Sequence, residues 1–135
     1  MGFQGVPMPR VIHFEIHADV PERAIRFYNS VFGWEFVRFP NGITEYWVVK
    51  TGESSQPGID GGLLRRDVAF EGVGITAYVC TIAVADLDHY LMKATTSGGQ
   101  LAVPRMAVPG IGWLAYCKDT EGNTFGMMQA DAAAK

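Results

Sequence analysis

A short stretch near the start of the chain passes from a strand pattern to a helix pattern and back to a strand pattern. At its start, the apolar residues Phe14 and Ile16 alternate with the ionisable residues His13, Glu15 and His17. Alternation with a period of two predicts a strand that has one apolar face and one polar face. The three ionisable side chains on the polar face make this strand a candidate functional element.

The residues that follow this strand carry helix signals. Asp19 and Glu22 have the D-x-x-E spacing of a helix start, and Pro21 falls in the first turn. Apolar residues recur at helical spacing over residues 20–32, and Gly33 is a C-terminal stop signal. The chain is therefore predicted to form a helix, capped by Asp19, directly after the first strand.

The same order of elements is predicted again in the C-terminal half of the chain. A helix capped by Asp86 follows a strand and ends at Gly98 and Gly99. Two strand–helix–strand–strand–strand modules indicate an internal duplication. The predicted strands are 11–17, 35–39, 44–50 and 59–65 in the first module, and 76–84, 100–103, 110–118 (with its leading turn) and 124–129 in the second.

These modules are predicted to form one compact domain. The predicted segments are an irregular start (1–10), the first module (11–66), a charged linker (67–75), the second module (76–129) and a frayed helical tail (130–135). Pro40-Asn41-Gly42 predicts a turn, and the Gly61-Gly62 pair leaves room for a close approach of neighbouring groups.

Composition limits the class of protein. The chain has 135 residues, of which 48% are hydrophobic, and a net charge of -3. These values are typical of one globular domain and give no electrostatic basis for binding nucleic acid or an anionic membrane. No apolar run is long enough to span a membrane and no signal peptide is found, so Cys80 and Cys117 are expected to be reduced in the cytoplasm. Both lie in apolar strand patterns, which favours core thiols over a catalytic nucleophile.

Two separated motifs indicate a family. His13 is followed by a helix containing Phe27-Tyr28 and then by Phe32-Gly33-Trp34, and the hairpin sequence Asp119-Thr120-Glu121-Gly122-Asn123-Thr124-Phe125 lies near the C-terminus. In these motifs the chain resembles the vicinal oxygen chelate superfamily, which includes glyoxalase I, the extradiol dioxygenases and the bleomycin and fosfomycin resistance proteins. The resemblance implies an α+β fold, in which two βαβββ modules form paired curved mixed sheets around a concave trough, with the helices outside. It also implies a homodimer, and a trough of this kind is a natural site for a small-molecule ligand.

Enzymes of this superfamily hold a divalent metal, and the resemblance implies the ligand positions. His13 matches the first ligand, whereas the third and fourth positions fall on Val79 and Gly126, which have no metal-binding side chain. The second position has no sure equivalent, and Glu45 is the only acidic residue on the nearest strand. The chain is therefore expected to lack the usual four-ligand site, and no cofactor is assigned.

A rearranged divalent metal site on the polar face of the first strand is left as an alternative. His13 would be its first ligand. Because one strand cannot wrap a small cation, a partner such as Glu45 or Asp60 would be needed.

The candidate site residues are the polar residues of the first strand and two tryptophans. His13 and Glu15 are interpreted as a general base and its orienting acid, or as a polar lining that binds a ligand without chemistry. His17 is a candidate ligand contact, or a surface residue beside the helix start. Trp47 and Trp113 would stack on a ligand in the trough, or form part of the core.

These residues lead to two main hypotheses about function. The first is a glyoxalase- or bleomycin-resistance-like protein that binds a small organic molecule in the trough, without the usual metal site. The second is a metal-dependent lyase, isomerase or dioxygenase, related to lactoylglutathione lyase, with an altered ligand set. A third hypothesis is a regulatory or scaffold dimer without a ligand. A tightly bound metal ion would favour the second hypothesis over the first.

Overall fold

The computed structural model of the chain describes residues 9–40, 45–66 and 76–135. The predicted linker at 67–75, the Asn41-Gly42 part of the predicted turn and most of the predicted irregular start lie outside these ranges. The described residues contain eight strands and two helices, in the order β1 (Arg10–Ala18), α1 (Pro21–Phe32), β2 (Glu35–Arg38), β3 (Tyr46–Lys50), β4 (Gly61–Arg65), β5 (Val79–Ala83), α2 (Leu87–Thr96), β6 (Gln100–Val108), β7 (Gly112–Lys118) and β8 (Thr124–Ala130).

The chain divides into two compact units, of which the first is His13–Tyr78. Its strands have the order β2-β3-β4-β1, and β1 runs parallel to β4 while the other pairs are antiparallel. The helix α1 packs on one face of this sheet, because alternation along the strands collects the apolar side chains there. That core contains the buried residues Phe14, Ile16, Ala18, Trp47, Val49 and Leu63, packed against Ala24, Ile25, Tyr28, Trp34 and Phe36.

The second unit contains Val79–Lys135 together with the start of β1. Its strands have the order β5-β8-β7-β6, with β5 parallel to β8 and the remaining pairs antiparallel. Its core contains the buried residues Val84, Leu87, Ala115, Cys117 and Met127, packed against side chains of α2 that include Tyr90 and Leu91. The predicted α+β class, with the βαβββ order occurring twice, is confirmed.

The two helices begin differently. The prediction that Asp19 caps α1 is wrong, because Val20 is the N-cap residue and makes no side-chain hydrogen bond. The Asp19 carboxylate instead accepts a hydrogen bond from Arg66 (Nη1–Oδ1 2.7 Å), in which both partners are charged. The predicted cap of α2 is confirmed, since the Asp86 carboxylate accepts from the backbone N–H of His89 at 3.1 Å. Gly33 ends α1 with φ 74°, as predicted.

The C-terminal residues do not form a helical end. The strand β8 continues to Ala130, and the Asp131 carboxylate accepts a hydrogen bond from the backbone N–H of Ala133 at 2.9 Å. The carbonyl of Ala134 accepts from the N–H of Gly110 at 3.0 Å, and Ala134 is buried. An aspartate that bonds its own downstream backbone favours such a turn over a helix.

The two cysteines occupy different environments. Cys117 is buried, as predicted, whereas Cys80 is exposed. Alternation along β5 explains this correction, because it puts Cys80 on the face opposite the buried residues Val79 and Thr81. Neither described helix is long and apolar enough to cross a membrane.

Candidate functional site

The polar residues of β1 lie on the sheet face of the first unit that α1 does not cover. His13, Glu15 and His17 alternate with the core residues Phe14 and Ile16, so they share the opposite face. His13 is 9% exposed and Glu15 is 5% exposed. Because buried ionisable groups are costly unless they are compensated, this face is the leading candidate for a functional site.

Tyr46 reaches from β3 to His13 across the neighbouring strand. The strand β4 lies between β1 and β3, with Gly62 opposite Glu15 on one side and opposite Val48 on the other. A Cβ atom at Gly62 would overlap the hydroxyl and ring of Tyr46. The absence of a side chain there lets the Tyr46 hydroxyl come within 3.1 Å of His13 Nε2, a hydrogen-bond distance.

The sequence indicated this arrangement only in part. The Gly61-Gly62 pair predicted a close approach of neighbouring groups, but Tyr46 was not among the predicted site residues. Tyr46 and His13 are 33 residues apart in sequence, and only the pairing of three strands brings them together.

Burial determines the protonation states of this pair. It lowers the pKa of His13 to about 4, and the negative charge of Asp60 opposes this shift only partly. Burial also raises the pKa of Tyr46 above its usual value, and the negative charge of Glu15 adds to the effect. At neutral pH the imidazole and the phenol are therefore both uncharged, so the pair offers hydrogen bonds rather than a positive charge.

Acidic groups surround this neutral pair. The Glu15 carboxylate is 3.9 Å from His17 Nε2, an ion-pair distance when His17 is protonated. Asp60 precedes β4, and its carboxylate accepts hydrogen bonds from the backbone N–H of Thr51 (2.9 Å) and from its hydroxyl (3.2 Å). The face therefore combines an imidazole, a phenol and a buried carboxylate, which are the groups that general acid–base chemistry or polar ligand recognition requires.

Glu45 does not join this group of residues. Its carboxylate accepts a hydrogen bond from the Arg65 guanidinium, which holds the pKa of Glu45 below its usual value. Arg65 also lies 3.8 Å from Glu22 and donates to the carbonyl of Asp19. Glu45 thus belongs to an exposed ion-pair network and is already engaged by a cation.

The two tryptophans lie in the apolar clusters that pack against the helices. Trp47 is 8% exposed and shares a sheet face with Ile16, opposite His13, and the guanidinium of Arg38 lies 5.0 Å from its ring. Trp113 packs in the core of the second unit. Its indole donates to Asp131 at 3.0 Å. These positions favour the core alternative for both residues, and their role in ligand binding stays a prediction.

The residues present do not fit the four-ligand metal site of the superfamily. Val79 is buried on β5, and Gly126 on β8 pairs with Thr81 and Tyr116, whose hydroxyls are weak ligands compared with imidazole or carboxylate. Among the residues that the structure describes, no three His, Cys, Asp or Glu side chains are arranged to hold a metal ion.

The chain is similar in fold to several solved structures. No protein-family model and no curated protein sequence matches it. A hypothetical protein from Bacillus halodurans C-125 is 12% identical, with a TM-score of 0.67, and the match covers 94% of this chain and 98% of that chain. A methylmalonyl-CoA epimerase in complex with methylmalonyl-CoA and NH4+ is 15% identical, with a TM-score of 0.68 and coverage of 95% and 99%.

A third similar structure is described only by its superfamily. A glyoxalase/bleomycin resistance protein/dioxygenase superfamily member from Vibrio splendidus 12B01 is 17% identical, with a TM-score of 0.57 and coverage of 90% and 99%. At identities this low, structural similarity establishes the fold and leaves activity open. The chain therefore has the fold of the vicinal oxygen chelate superfamily.

Proposed function

We propose that this chain is a glyoxalase/bleomycin-resistance-like protein that binds a small organic molecule on the polar face of β1. The proposed binding does not use the usual four-ligand metal site of the superfamily. The observation that carries the proposal is the buried hydrogen bond between His13 and Tyr46, with the pKa of His13 lowered to about 4. Burying an imidazole beside a carboxylate costs stability, and ionisable groups with shifted pKa values cluster at functional sites.

The neutral pair and the nearby carboxylate specify complementary features of the ligand. His13 and Tyr46 each carry groups that can donate and accept hydrogen bonds, so the uncharged pair would recognise a polar, uncharged oxygen of a ligand. Glu15 is an acceptor when ionised and would bind a hydroxyl or N–H of the ligand. A compound that carries a carbonyl or hydroxyl oxygen beside an N–H or O–H group would satisfy both.

The alternative function is an enzyme of the lyase, isomerase or dioxygenase type with an altered metal-ligand set. The presence of methylmalonyl-CoA epimerases among the similar structures favours an isomerase within this group. Glu15, buried beside a neutral histidine, would then serve as the base that accepts a proton from the substrate. His13 would be the candidate metal ligand under this alternative.

The remaining expectations belong to the same proposal. They are a ligand contact from His17, the two-module organisation with its linker at 67–75, a homodimer, and a cytoplasmic location. For Trp47 and Trp113 the core alternative is the one that their positions favour. Sedimentation equilibrium of the purified chain tests the homodimer, since a monomer mass at micromolar concentration would contradict it.

Metal analysis separates the two functions. The protein should be purified without chelator or nickel affinity, beside His13→Ala, and its metal content measured by mass spectrometry. We expect far less than one equivalent of metal in both proteins, and no rise in Tm on addition of manganese, iron, nickel or zinc. About one equivalent of metal in the wild type that is lost in His13→Ala would refute the metal-free site and favour the enzyme.

A ligand screen tests the binding site directly. Compounds that raise the Tm of the wild type should be retested on Tyr46→Phe and His13→Gln, which keep side-chain volume while changing the polar pair. Tyr90→Phe, a tyrosine in the core of the second unit, is the matched control. We expect hits to be weakened by both site variants and unchanged by the control. Hits that bind the site variants as tightly as the wild type would place the ligand elsewhere.

A further inference from the structure

A pocket lies beside the first half of α1, apart from the polar face of β1. It has a volume of about 400 Å³ and is open to solvent on one side. That volume is within the range of sites for small organic ligands. We call it the α1 pocket and define it by Val20, Arg23, Phe27, Tyr28 and Arg66, which line it together with residues at the end of β1 and on the inner side of the helix.

One wall of the α1 pocket is apolar and aromatic although it faces solvent. Phe27 is 56% exposed and Val20 is 39% exposed. The ring of Phe27 meets that of Tyr28 edge to face, with centroids 5.2 Å apart, so the two rings form an aromatic corner. Exposed apolar side chains that line a concavity favour binding of an apolar or aromatic group.

The described lining of the pocket also carries an excess of positive charge, since it contains two arginines and one aspartate. Arg66 is held in place by the Asp19 carboxylate (2.7 Å) and by the carbonyl of His17 (2.9 Å), and its side chain is only 15% exposed. Asp19 therefore balances the charge of Arg66, and the second guanidinium of the lining, that of Arg23, remains as the excess. A guanidinium beside an apolar wall is a typical partner for a carboxylate.

We propose that the α1 pocket binds an aromatic monocarboxylate, with the ring against Phe27 and Tyr28 and the carboxylate on Arg23. The charge excess selects an anion, and the aromatic corner selects a ring over a flexible chain. This proposal does not depend on ligand binding by His13, Glu15 or Tyr46.

The probe for this site is 4-fluorophenylacetate, titrated into the full chain and followed by fluorine NMR. We expect saturable binding that Arg23→Gln weakens about tenfold, the value of one charge-assisted hydrogen-bonding contact. Phe27→Ala should also weaken binding, and since Phe27 is exposed this variant is expected to fold. The alcohol 2-(4-fluorophenyl)ethanol, which has the same ring and no charge, should bind more weakly than the acid.

Arg26→Gln is the matched control, because Arg26 is an exposed arginine of the same helix that does not line the pocket. It should leave the affinity unchanged. Absence of saturable binding, equal affinity for the acid and the alcohol, or equal loss in Arg23→Gln and Arg26→Gln would overturn the proposal. The proposal would also be overturned if 4-fluorophenylacetate shifted backbone amide signals only in residues outside α1 and the rest of the pocket lining.

Discussion

The protonation of His13 predicts a specific loss of stability between pH 6.5 and 4. Its pKa is about 4 in the folded chain and 6.5 in the reference state. Above pH 6.5 both the folded and the unfolded chain hold a neutral imidazole, so the full stability is present. As the pH falls, the unfolded chain takes up a proton that the folded chain does not, and stability is lost until the pH reaches about 4.

The size of this effect follows from the shift in pKa. One pKa unit corresponds to about 1.4 kcal/mol, so the shift of His13 corresponds to about 3 kcal/mol at pH 4. About 2 kcal/mol of that should already be lost at pH 5. For a domain whose total free energy of unfolding is about 5–15 kcal/mol, a loss of this size is measurable by urea unfolding.

The assay compares the wild type with His13→Gln at pH 7 and pH 5. Glutamine keeps a polar group beside Tyr46 but does not titrate. The other titratable groups are the same in both proteins, so their effect on the pH dependence of stability cancels in the comparison. The wild type should lose about 2 kcal/mol more than His13→Gln between these pH values. His89→Gln, on the exposed side of α2, is the control and should reproduce the wild-type loss.

Direct titration of the histidines completes this test. The chain has three histidines, so their ring proton signals can be assigned with single variants. A midpoint for His13 above pH 6, or parallel pH dependence of the wild type and His13→Gln, would refute the argument from burial.

Three further changes test the packing of the fold. Gly62→Ala should cost about 1–3 kcal/mol, because its methyl group overlaps Tyr46, and should cost much less in a Tyr46→Ala background. Asp86→Ala should cost about 1 kcal/mol, because it removes the side-chain cap of α2. Ellman's reagent should modify Cys80 quickly in the folded protein and Cys117 only after unfolding, because burial raises the pKa of the Cys117 thiol and blocks access to it.

Each of these predictions has a control in the same chain. Gly52→Ala places its methyl group no closer than 3.8 Å to Gln56 and should change the free energy of unfolding by less than about 0.5 kcal/mol. Asp88→Ala breaks an ion pair in which the side chain of Asp88 is 70% exposed and that of Arg105 is 36% exposed, and it should cost less than Asp86→Ala. Equal costs within either pair of variants, or equal rates for the two thiols, would contradict the structural explanation.

Several local features could be predicted because they depend on residues that are close together in sequence. The alternation of Phe14 and Ile16 with three ionisable residues placed those residues on one face of β1, and the structure has the same division. Gly33 ends α1 in the left-handed region, where glycine is favoured. Asp86 caps α2 through a backbone group only three residues away.

Other features could not be predicted because they depend on distant partners. Asp19 has the local pattern of a cap, but its carboxylate binds Arg66, which is 47 residues away in sequence. Alternation assigned Trp47 to one of two sheet faces without indicating which face α1 covers, and the strand register puts it with the core. The metal-ligand positions of the superfamily could be compared in sequence, yet only the structure shows which groups neighbour Gly126.

The sequence by itself therefore determined the order of elements, the α+β class and the polar face of β1, because period and turn chemistry act over a few residues. The tertiary structure decided which groups meet on that face. The bond between Tyr46 and His13 requires β4 to lie between their strands and to present a glycine at Gly62. Pairing register is set by hydrogen bonds and burial across the whole sheet, and no local pattern encodes it.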